Sequence, residues 1–171
     1  MKNTLLFLAV FLLAGFLFAE EAGSASGIPE RKAEQFIKPT WSFGFGNYSM
    51  NEGFGSFSEG FTNIGLDVDF VSENGLTLGL QSVMAWNNDI MGTRHLSALG
   101  IGYTYNTEKW CLGGKIMSVP VIESGGMGLD INGTYWLNPT FGITGIMDIY
   151  FSLGDVDWTI FAMRFGISTK F

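Results

Sequence analysis

The chain has 171 residues, 47% of them hydrophobic and 15% charged, with a formal net charge of −7. An acidic balance of this size speaks against nucleic acid as a partner. The single cysteine, Cys111, excludes an intramolecular disulfide and a thiol-based zinc site, and reads as a small buried residue.

Residues 1–19 read as a secretory signal peptide: Lys2 supplies the basic start, Leu5 to Phe18 is apolar apart from glycine, and Ala19 suits cleavage. That run is well short of the roughly 20 residues a spanning helix needs. Phe16 stands where a lipoprotein would carry its acylated Cys. Residues 20–38 are expected to form a periplasmic linker. Within it, Ile28–Ile37 has the composition for about two helical turns, with Pro29 at an early helical position.

From Thr40 to Phe171 the sequence alternates with a period of two, the signature of strands. Eight segments are expected: Thr40–Tyr48, Phe61–Val71, Leu76–Trp86, Arg94–Tyr105, Trp110–Val119, Gly126–Leu137, Phe141–Leu153 and Thr159–Phe171. In each, one face is oily (Trp41, Phe43 and Phe45 in the first) and the other is small or polar. Their lengths suit tilted membrane-spanning strands of about 9–11 residues. Lipid cannot satisfy an open sheet edge, so a chain that spans with strands must close them into a barrel. The connections 72–75, 106–109 and 138–140 are tight turns rich in Asn, Gly and Pro. The others, 49–60, 87–93, 120–125 and 154–157, are mostly longer and are expected to be external.

Aromatic rings gather near the segment ends, as in the girdles of such barrels. Trp41, Phe70, Tyr105, Trp110, Phe141 and Phe171 are assigned to one girdle, and Trp86, Phe151, Trp158 and Phe161 to the other. Eight strands enclose a lumen that side chains can fill. Hairpin register sets Lys115 opposite Asp130 about a turn in 120–125, and Asp148 opposite Arg164 about a turn near Val156. Charges taken from water must pair. An internal ion network of Lys115, Asp130, Asp148 and Arg164 is therefore expected, with Asp67, Asp69 and Lys170 nearer the periplasm. It reads as a polar plug, or alternatively as a gate.

The final segment, TIFAMRFGISTKF, places Phe161, Met163, Phe165, Ile167 and Phe171 on one face and Gly166 on the other. It resembles the C-terminal sorting strand of bacterial outer-membrane barrels. With the topology, it makes Thr40–Phe171 similar to the small eight-stranded barrels of the OmpX, OmpW and OmpA-barrel class. The resemblance implies an all-β antiparallel up-and-down barrel in the outer membrane of a Gram-negative-type bacterium. It also implies periplasmic termini, contact with outer-membrane lipid, and delivery to the barrel-assembly machinery by the terminal strand. The expected role is structural or surface-interacting, with a narrow porin-like channel for small apolar molecules or ions as the alternative. No catalytic residue, metal or cofactor is expected. The one enzymatic alternative is a lipid A deacylase-like reading of His95 and Ser97. It lacks the Asn that family has after its Ser, and its nearest downstream carboxylate, Glu108, is roughly 35 Å away at about 3.3 Å per residue.

Overall fold

The computed structural model describes residues 30–52, 55–87, 92–120, 125–153 and 157–171. The expected signal peptide and residues 20–29 lie outside them. The chain divides into two units, Met1–Arg31 and Lys32–Phe171, and the second contains the barrel. Eight strands follow one another: β1 (Phe36–Glu52), β2 (Gly55–Val71), β3 (Leu76–Asn87), β4 (Gly92–Asn106), β5 (Trp110–Val119), β6 (Gly126–Asn138), β7 (Phe141–Ser152) and β8 (Asp157–Thr169). Each pairs antiparallel with the next, and β1 pairs with β8, so the sheet closes.

The alternation forces this closure. In β3, every second residue from Leu76 to Met84 is exposed and the intervening residues are buried. Leu78, Leu80, Leu99, Ile101, Phe165 and Ile167 are exposed on the outside, whereas Asp67, Asp69, Lys115, Asp130, Asp148 and Arg164 are buried inside. The barrel is thus mainly apolar on its outer wall and charged at its centre. Tight turns close the termini end. In the first of them Gly75 takes a positive φ of 88°, the only such residue among those described, because the chain reverses within Ser72–Leu76. Gly65 and Gly79 have a different use. A Cβ on Gly79 would sit 2.8 Å from Lys115 Cδ, and one on Gly65 would meet Ser42 Oγ at 2.9 Å and the Arg164 guanidinium. These glycines make room for long cations.

Three expectations need correction. β1 begins at Phe36 rather than Thr40, so Phe36, Ile37 and Lys38 are barrel residues. None of residues 30–35 is helical, and β1 runs through Pro39. The β7–β8 register is two residues from the one expected: Asp148 faces Ala162, and Arg164 faces Ile146. An even slip leaves the outer face unchanged, so periodicity could not detect it. The β5–β6 register does set Lys115 opposite Asp130.

Candidate functional site in the barrel lumen

The lumen is filled in layers. At the centre, Arg164 on β8 is fully buried. Its Nη1 and Nη2 donate to the two carboxylate oxygens of Asp67 on β2, at 2.5 and 3.1 Å, and its Nε donates to Asp148 Oδ2 on β7 at 2.8 Å. Nη1 also donates to Ser42 Oγ on β1 at 2.8 Å. This bidentate fork is the strong form of ion pair. Gln81 on β3 donates to Asp67 at 2.8 Å and to Asp148 at 3.2 Å, and its carbonyl accepts from the Tyr150 hydroxyl.

A second group adjoins it. Lys115 on β5 contacts Asp69 at 2.5 Å and Asp130 at 3.4 Å. Lys38 on β1 contacts Asp69 at 3.4 Å and donates to Asn132 Oδ1 at 2.8 Å, while Asn132 donates to Asp130 at 2.7 Å. Toward the termini end lies a row of hydroxyls: Thr40, Ser168, Thr144 and Thr134 bond in sequence.

Apolar caps close both ends. Phe36, Val71, Cys111 and Trp136 form the cap at the termini end. Ala98, Met117, Val119, Tyr150 and Trp158 form the cap at the loop end. Cys111 is fully buried in the first.

Six of the seven charges singled out in the sequence therefore meet in two adjoining groups: Arg164 with Asp67 and Asp148, and Lys115 with Asp69 and Asp130. Lys170 does not join them. It bonds Glu34 at 3.2 Å, and its ammonium lies 5.3 Å from the Phe36 ring and 5.2 Å from the Trp136 ring. Lys32 also pairs with Glu34, at 3.2 Å. Burial pushes the Glu34 carboxyl up, but its hydrogen bonds to Lys32 and Lys170 outweigh this and hold it below the ordinary value.

Lys38, which precedes the expected first segment, is a lumen charge. Its even-numbered parity with Thr40 and Ser42 was the available signal. Trp158 is not a girdle ring as expected: it points inward at 8% exposure, on the same parity as Ala162 and Arg164. Of the other girdle rings, Trp41, Phe70, Trp110, Phe161 and Phe171 are exposed, and Trp86, Tyr105, Phe141 and Phe151 are partly so. Trp110 stacks at a tilt on Tyr135, with ring centroids 4.7 Å apart. On the terminal strand, Phe161, Met163, Phe165 and Ile167 are exposed, as is Phe171 just past it, and Gly166 lies between Phe165 and Ile167 on the inner parity.

His95 does not pair with Ser97. Its Nε2 bonds Ser82 Oγ at 2.8 Å on the outer wall, and Ser97 faces Ser82 across the ladder. Glu108 lies in the turn after β4, at the other end of the barrel. Among the described residues, no group of three His, Cys, Asp or Glu side chains is arranged to hold a metal ion.

No family model matches this chain, and no curated protein matches it. Solved structures do. Neisserial surface protein A aligns with a TM-score of 0.56 and 15% identity, over 80% of this chain and 97% of that one. Ail, the attachment invasion locus protein of Yersinia pestis, aligns at 0.52 and 12% identity, over 78% and 98%. A de novo designed transmembrane β-barrel aligns at 0.50 and 10% identity, over 84% and 99%. The fold is that of the small eight-stranded outer-membrane barrels.

Proposed function

We propose that this chain is an integral outer-membrane protein whose lumen is a plug, serving a structural role in the membrane or a surface-interaction role through its loops. The observation that carries the role is the sealed interior: an ion network at mid-height between two apolar caps, with Arg164 and Asp130 wholly inaccessible. A path for ions would need continuous polar lining, and the caps interrupt it at both ends.

The outer wall supports the location. Among the described residues, 23 large apolar side chains are exposed. Leaving them in water forfeits roughly 1 kcal/mol each, tens of kcal/mol together, against a total stability of about 5–15 kcal/mol. Hydrocarbon removes that cost. The outward apolar row of β8, Phe161, Met163, Phe165 and Ile167, supports recognition by the barrel-assembly machinery, and the tight turns at the termini end support periplasmic termini. The geometry does not support an acyl-hydrolase role: His95 bonds Ser82, and among the described residues no carboxylate bonds His95 to orient it.

Planar-bilayer recording on refolded protein tests the reading. The expected result is no unitary current above the lipid background. Reproducible single-channel steps would overturn the plug and favour the narrow-channel alternative.

A further inference from the structure

The outer wall is not uniformly apolar. On β4, Thr93, His95 and Ser97 occupy successive outward positions and all three are exposed. Ser82 on β3 lies directly opposite Ser97 and bonds His95 at 2.8 Å. Ser118 on β5, opposite Leu99, is exposed as well.

Depth makes this patch unusual. β3 runs from Leu76 to Asn87, so Ser82 is six residues from one end and five from the other. At about 3.3 Å per residue and a tilt near 40°, it lies roughly 10 Å below the Trp86 ring that marks the interface. Leu80 and Met84, its outward neighbours on the strand, are exposed apolar residues. Lipid esters and headgroups stay at the interface, so they cannot reach Ser82. Polar groups on a hydrocarbon face are costly unless something covers them.

We propose that this face, β3 to β5, is the contact between two copies of the chain. A second copy in the same membrane, related by a two-fold axis along the membrane normal, brings each residue opposite its counterpart at the same depth. Hydroxyls and an imidazole both donate and accept, so the patch is complementary to itself. Beside it, Leu99, Ile101, Ile116, Ser118 and Met127 line a shallow apolar groove of about 330 Å³. That groove can receive side chains of the partner copy. The inference rests on the membrane-spanning reading, and its test separates the two.

The refolded protein is inserted into phosphatidylcholine vesicles, and heat-shifted gel mobility reports insertion. Ser97→Cys is then oxidised with copper phenanthroline. The parent, whose Cys111 is buried in the lumen, and Phe165→Cys on the far wall serve as controls. Ser97→Cys should form covalent dimer about tenfold faster than Phe165→Cys, and adding Ser82→Ala and His95→Leu should slow it about tenfold, the worth of one or two interfacial hydrogen bonds in lipid. Inserted protein that cross-links equally at both positions, or dimers indifferent to loss of Ser82 and His95, would overturn the shared face. Sedimentation of the unsubstituted protein as a monomer at the same lipid ratio would do the same. Failure to insert at all would instead refute the membrane reading.

Discussion

Arg164→Met is the most searching test of the plug. The substitution keeps the length and apolar volume of the side chain while deleting four hydrogen bonds: two to Asp67, one to Asp148 and one to Ser42. Asp67 is then left with Gln81, and Asp148 with Gln81 and Tyr150. Neither partner is charged. Removing one member of a buried ion pair costs about 3–5 kcal/mol, because the other is stranded. A loss of about 4 kcal/mol lowers the folded-to-unfolded ratio by roughly a thousandfold. Asp148→Asn should cost less, about 1–3 kcal/mol, since Arg164 keeps its fork on Asp67. The triple variant Arg164→Met, Asp67→Asn, Asp148→Asn removes the stranded charge and should recover most of the loss. Equilibrium urea unfolding in vesicles, followed by tryptophan fluorescence, measures all three. A loss below about 1 kcal/mol for Arg164→Met, or a triple variant no more stable than the single one, would refute the reasoning. If Arg164→Met opened unitary currents at unchanged stability, the network would be a gate.

Lys38→Met should lower stability by about 1–3 kcal/mol in the same assay, less than Arg164→Met, because Asp69 keeps Lys115 at 2.5 Å. Trp136→Ala should cost about 3–5 kcal/mol by opening the cap at the termini end, yet bilayers should stay silent because the ion network lies beyond it; currents would show that the cap is the seal. The Glu34 clamp should depend on pH. Its folded pKa lies below its ordinary 4.5, so its stabilisation is fully present above about 4.5 and is lost as pH falls through the lowered value. The stability difference between the parent and Glu34→Gln should be constant from pH 7 to about 5 and shrink below it, remaining under about 1 kcal/mol throughout for so exposed a group; a difference that grew on acidification would refute the clamp.

The sequence made the barrel legible because burial in lipid inverts the usual pattern without blurring it. β5 matches its expected segment end to end, and the other strands differ at their ends. The misses share a cause. Phe36, Lys38 and Trp158 lie where strands run past the oily stretch, so composition suggested a linker or a girdle while parity pointed inward. The caps were missed for another reason. Phe36, Val71, Cys111 and Trp136 come from four different strands and meet only when the sheet closes, so no local run of apolar inward residues announces them.

The two-residue difference between the expected and observed β7–β8 pairing bears on what buried charges can do in such a barrel. Slipping a strand by one residue turns its oily face inward, and the lipid forbids that. Slipping by two leaves Phe161, Met163 and Phe165 facing hydrocarbon, and the outer wall is indifferent. Something inside must distinguish the even slips. The network has the geometry for it, because it links strands that are not neighbours: Arg164 on β8 to Asp67 on β2, Lys115 on β5 to Asp69 on β2, Lys38 on β1 to Asn132 on β6, and Gln81 on β3 to Asp148 on β7. A two-residue slip, about 7 Å of travel along a strand, would pull Arg164 from Asp67 and strand both charges inside a sealed barrel. Buried ion pairs contribute little net stability compared with apolar packing, but broken ones are costly. That asymmetry suits a device that selects one register among several with equally oily exteriors. If it does so here, replacing all seven buried charges by neutral residues of similar size should leave a barrel that folds with mixed β7–β8 pairing. Disulfide trapping between cysteines at the observed outward pair Met147 and Met163, and at the slipped pair Met147 and Phe165, would then capture both registers, whereas the parent network should yield only the first.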